Sequence, residues 1–192
     1  NTAGGSGGGV YVFGYARLLV AGASSISNNK AAWSGGGLVT EGNAIITITG
    51  GSVVQGNTAR IGGGGGLAAL GNASVTITGN SKVQANTAGG SGGGVYVFGY
   101  ARLAVAGASS ISNNKAALGG GGLHIQGNST VTITTSVVNG NTAMKFCGGG
   151  VCVADGAHLN ITNASNVHGN IARASGGGGI CMAQDATVAI MH

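Results

Sequence analysis

The chain reads as an all-β protein, a single right-handed parallel β-helix of about seven coils, each of 28 or 29 residues with three short strands. Three observations predict this fold: a recurring glycine run, a recurring Ser/Asn motif and a period-2 hydrophobic pattern between them. The glycine run ends in an aliphatic residue at Val10, Leu38, Leu67, Val95, Leu123, Val151 and Ile180, spaced by 28, 29, 28, 28, 28 and 29. The motif Ser-x-(Ile/Val)-x-x-Asn recurs at Ser24–Asn29, Ser52–Asn57, Ser81–Asn86, Ser109–Asn114, Ser136–Asn141 and Ser165–Asn170. Self-similarity at this period marks a stacked-repeat architecture, and β-propeller blades need roughly 40 to 50 residues instead. The right hand follows from the crossover rule for parallel strands.

Each coil contains three alternating segments, the signature of strands with one buried face. In the first, Leu123 and Ile125 point inward while His124 and Gln126 point outward; Val10/Val12, Leu67/Ala69, Val95/Val97 and Val151/Val153 follow the same register. In the second, Val75/Ile77 and Val131/Ile133 set the pattern, matched by Leu18/Val20, Ile46/Ile48, Leu103/Val105 and Leu159/Ile161. The third buries Ile26, Val54, Val83, Ile111, Val138 and Val167. Glycine runs such as Gly62–Gly66 read as tight corners, since glycine tolerates positive φ. They lack the Lys-Ser/Thr and the following helix of a phosphate loop. Asn29, Asn57, Asn86, Asn114, Asn141 and Asn170 share one corner and are expected to form a structural ladder, because buried amides need partners.

A longer period lies over the coils. Asn1–Ala32 recurs at Asn86–Ala117 with one change, Leu19 to Ala104, so the 85-residue unit is three coils and points to block duplication. The chain opens within a repeat, and residues 1–192 are read as one β-helix domain cut from a longer solenoid.

The motifs Gly-Gly-Gly-(Val/Leu/Ile), as in Gly92-Gly93-Gly94-Val95, and (Ile/Val)-x-x-Asn, as in Val83-Gln84-Ala85-Asn86, resemble the repeats of polymorphic outer membrane proteins, which are autotransporter-type surface proteins. Glycine stands where that family has Ala, and Ile or Val where it has Phe. The resemblance implies a pectin-lyase-like β-helix exposed at a cell surface, with adhesion as its role. The expected location is therefore extracellular or at the cell surface.

Composition narrows the function classes. Charged residues make up 6% of the chain, and the net charge of +5 reflects three acids against eight scattered bases. A nucleic-acid groove needs bases clustered with aromatics, so no nucleic-acid partner is expected. No apolar run reaches the ~18 residues of a membrane span, so no membrane insertion is expected in this segment. The acids are Glu41, Asp155 and Asp185; the last two stand in turn contexts, and a glycosidase needs two carboxyls about 5 to 9.5 Å apart. No enzyme activity, cofactor or metal is expected. The histidines, His124, His158, His168 and His192, read as surface residues. Cys152 and Cys181 occupy one outward position in successive coils, so a disulfide there, one between Cys147 and Cys152, or three free thiols all fit. Asn72, Asn128, Asn160 and Asn163 begin N-glycosylation sequons.

Two outward faces remain. The second strand shows Thr47/Thr49, Thr76/Thr78 and Thr132/Thr134, which resembles the ice-contacting rows of antifreeze solenoids. The first strand shows Tyr11, Phe13, Tyr15, Val39, Leu70, Tyr96, Phe98 and Tyr100, and a contiguous apolar stripe marks an interaction surface. The reading is a non-enzymatic extracellular spacer, adhesin or assembly subunit that uses this face toward a protein partner or a copy of itself. An ice-binding solenoid comes second, and a fragment of a carbohydrate-active β-helix enzyme, with a glycan ligand, third.

Overall fold

The computed structural model describes residues 1–191. His192, one of the four histidines, lies outside the described residues. Among those described there is no helix long and apolar enough to cross a membrane. The strands pair in parallel with their equivalents one coil away, and they form four sheets along a common axis.

The first sheet runs in seven strands from Val10–Val12 to Ile180–Met182. Its register aligns Val10, Leu38, Leu67, Val95, Leu123, Val151 and Ile180, the residues that close the glycine runs. The second sheet runs from Arg17–Val20 to Thr187–Ile190, and the third, with six strands, from Ser25–Ser27 to Asn166–His168. Aliphatic side chains from all three meet in one continuous core in which Leu38, Ile46, Ile77, Ile111, Leu123 and Ile133 are fully buried. Adjacent coils are about 4.8 Å apart, so each core side chain stacks on its counterpart.

The expectation of three strands per coil needs a correction. A fourth sheet of seven two-residue strands, Thr2–Ala3 to Ile171–Ala172, follows each ladder asparagine. Two residues are too short to show an alternating pattern. The recurring Asn-x-Ala triplet was its trace: Ala31, Ala59, Ala88, Ala116 and Ala143 point inward and are buried.

The ladder itself is continuous. The amide Nδ2 of Asn29, Asn57, Asn86, Asn114 and Asn141 each donates to the Oδ1 of the next asparagine at 3.0 Å. From Asn57 onward each Nδ2 also donates to the backbone carbonyl of the central residue of the preceding coil's third-sheet strand, as Asn86 does to Val54 at 3.0 Å. Each Oδ1 further accepts the backbone N–H of the previous asparagine, so every buried amide group has partners.

The glycine runs are more than corners. In coil three, Gly64 has φ +69°, a backbone state that disfavours side chains, but Gly65 and Gly66 do not. A Cβ on Gly65 would stand 2.5 Å from the Thr87 carbonyl carbon, and one on Gly66 would stand 2.9 Å from Asn86 Nδ2. One glycine turns the chain, and the next two let it pass against the neighbouring coil and the ladder.

Candidate functional site

The outward face of the first sheet carries two rows of side chains. In register, the inner row is Tyr11, Val39, Ala68, Tyr96, His124, Cys152 and Cys181. The outer row includes Leu70, Phe98 and Gln126, with Phe13 and Glu41 just beyond their strands. The glycine-led loop that enters each coil folds back over the inner row. A Cβ on Gly35 would collide with Val39, and one on Gly63 would stand 2.9 Å from the Tyr96 ring.

This cover corrects the expected contact face. Val39 and Ala68 are fully buried, and Leu70 and Tyr96 are half-buried. The exposed members are Tyr11 at 45%, Phe13 at 68%, Tyr15 at 85%, Phe98 at 44% and Tyr100 at 63%. They form two aromatic clusters, three coils apart, rather than one stripe. Alternation along the strand told which way each side chain points, but the loop crossing above it has no periodic signal.

The clusters share a sequence and differ in surroundings. Tyr11 and Phe13 have ring centroids 6.0 Å apart at 54°, and the Tyr11 hydroxyl donates to Glu41 Oε2. That hydrogen bond raises the Tyr11 pKa above its ordinary value, with smaller contributions from burial and from the Glu41 charge. Tyr96 and Phe98 are stacked, 6.0 Å apart at 9°, and Tyr96 also stacks on His124 at 5.6 Å. The Tyr96 hydroxyl donates to Gln126 Oε1 at 3.0 Å, and Gln126 Nε2 donates to Asp155 Oδ2 at 2.6 Å. Burial first, and Asp155 second, push the Tyr96 phenol upward.

His124 is half-buried rather than freely exposed. Burial brings its pKa down to about 4, against opposing pulls from Gln126 and Asp155, so the ring is neutral at pH 7. Its Nδ1 has no hydrogen-bond partner. His124, Tyr96 and Gln126 line a groove of about 290 Å³ together with Gly90, Ser91 and Leu118. His158 and His168 are exposed, as expected.

The cysteines pair differently from either expected bridge: Cys147 is joined to Cys181, with Cα atoms 5.5 Å apart, and Cys152 is a buried free thiol. Cys152 and Cys181 are ladder neighbours, but the loop carrying Cys147 lies over this row and reaches Cys181 itself. Cys152 Sγ is left 3.2 Å from Cys147 Sγ. Among the described residues, no group of three or more His, Cys, Asp or Glu is arranged to hold a metal ion.

The other candidates are also placed. Asp155 and Asp185 both have positive φ, at 55° and 59°, which is turn geometry. Asn72, Asn128 and Asn163 are exposed, whereas Asn160 lies half-buried within the strand His158–Thr162. The second sheet aligns Leu19, Thr47, Thr76, Ala104, Thr132, Asn160 and Ala189 in one outward row, so threonine neighbours threonine only once there.

A comparison with protein families matches residues 1–191 to the one described as right handed beta helix region. No curated protein and no solved structure matches the chain.

Proposed function

Because the chain belongs to the right-handed β-helix family, we propose that it serves as a non-enzymatic structural and adhesive rod at or beyond the cell surface, in contact with a protein partner through the two aromatic clusters. One observation carries the reading. Besides Trp33 and Phe146, five aromatic side chains stand exposed on or just after two strands of the first sheet, in a rod whose core is complete without them. Aromatic residues dominate contact energetics and are enriched at interfaces.

The acids favour the same reading. Asp155 is held by Gln126 and both aspartates sit in left-handed turns, so their placement has a structural account. The ice-binding reading draws less support, because Leu19, Ala104, Asn160 and Ala189 break the threonine row.

The test replaces Phe13, Tyr15, Phe98 and Tyr100 with Ser in one variant. The thermal transition should stay close to the parent's, since none of the four belongs to the core. Beads coated with the parent should cluster with one another or adhere to animal cells, and beads coated with the variant should do neither. Equal behaviour of the two would overturn the contact reading.

A further inference from the structure

The disulfide and the free thiol are one cluster. Cys147 lies in the loop that enters coil six, Cys152 in the strand Val151–Val153, and Cys181 in the strand Ile180–Met182 of coil seven. Cys147 and Cys181 have no S–H, so the short contact has the Cys152 thiol donating to Cys147 Sγ at 3.2 Å. A disulfide bond length of about 2.05 Å is then reached by a shift of about 1.2 Å from that contact. Cys152 is also the ladder neighbour of Cys181, so all three sulfurs belong to adjacent coils on one face. Gly176 makes the arrangement possible, since a Cβ there would collide with Cys147.

We infer that these three cysteines form a thiol–disulfide exchange site whose external substrate is a low-molecular-weight disulfide, captured at Cys181. In the internal step the Cys152 thiolate attacks Cys147 Sγ. The Cys147–Cys152 bond forms, the Cys147–Cys181 bond breaks, and Cys181 leaves as a thiolate; no electrons are gained or lost overall. In the external step the Cys181 thiolate attacks one sulfur of the small disulfide, forms a mixed disulfide and releases the other half as a thiolate.

Accessibility gives the relay its direction. Cys152 is 5% exposed and Cys181 is more open, so a reagent that cannot reach the resting thiol can reach the displaced one. Burial, and the Asp155 charge after it, raise the Cys152 thiol to about 11, which leaves little thiolate at neutral pH. Thiolate is the attacking form, so the internal step is the slow one. The result is a strap between coils six and seven that opens without any reductant. The inference does not depend on the aromatic clusters and stands or falls apart from them.

The experiment maps cysteine pairing by protease digestion and mass spectrometry, before and after incubation of the folded protein with oxidised glutathione at mildly alkaline pH. Untreated protein should show Cys147–Cys181. Treated protein should gain one glutathione on Cys181, with Cys147 joined to Cys152. The Cys152→Ser variant should retain Cys147–Cys181 and lose the adduct. Glutathione on Cys152 with Cys147–Cys181 intact would overturn the relay, as would absence of any adduct, a different starting pair, or a Cys181 adduct that persists in Cys152→Ser.

Discussion

Coil one and coil four are built from the same 32 residues apart from Leu19 and Ala104, yet they are not the same surface. Val10 is half-buried where Val95 is fully buried, and Tyr11 is exposed where Tyr96 is half-covered. One cause is position, since Val10–Val12 is an end strand paired on one side only whereas Val95–Gly99 lies between two strands; the other lies one coil further on. The residues after Leu38 are Val39, Thr40 and Glu41, and their 85-residue equivalents after Leu123 are His124, Ile125 and Gln126. A valine under Tyr11 offers no stacking partner, while His124 gives Tyr96 a ring. In a solenoid the nearest neighbour of a residue is about 28 positions away, so identical segments acquire their properties from the coil they rest on.

The largest expected effect breaks the ladder at the two equivalent positions. Asn114→Leu removes an amide that makes two donations and accepts two more. It strands several buried polar groups and should lower stability by about 4 kcal/mol. Asn29→Leu removes the equivalent amide at a place where its only preceding partner is Asn1, and it should cost less than half as much. Urea unfolding of both variants checks this, and equal losses would refute the argument from neighbours.

Acid should separate the two regions next. His124 has a folded pKa of about 4 against 6.5 unfolded, so between those values the unfolded chain binds the proton and the folded one does not. Stability therefore falls as pH drops from 6.5 toward 4, by up to about 3 kcal/mol. His124→Val copies Val39 into coil five and should flatten that slope, whatever it does to stability at neutral pH. Unfolding curves at pH 7, 5.5 and 4 give the slope, and an unchanged slope in the variant would show that His124 is not its source.

The smallest effect lies at Thr40. Its side chain is fully buried and its Oγ1 has no partner, while the equivalent Ile125 is purely apolar. Thr40→Val keeps the shape and removes the stranded hydroxyl, so it should stabilise the protein by about 1 kcal/mol. A loss of stability in the same urea assay would mean that the hydroxyl has a partner after all.

The coils, the registers and the ladder row were legible because each repeats in the sequence. Leu123-His124-Ile125-Gln126 tells inside from outside by alternation alone, and asparagine recurs at one corner because nothing else satisfies it. The site was legible only in part. Which outward residues are covered depends on Gly35 or Gly63 crossing above a strand, and glycine there looks the same as glycine in a turn. Cys147 was hardest to place, since its sulfur reaches a strand more than a full coil ahead and no spacing rule carries that distance.

The asparagine row has a consequence beyond holding coils together. Every side-chain amide from Asn29 to Asn141 passes its N–H forward to the next Oδ1, so the bond dipoles point the same way. Amide dipoles aligned head to tail add, as they do along a helix, where each unit contributes about 3.5 D. The row acts as a small electret inside the rod, positive toward the C-terminal coils and negative toward the N-terminal ones.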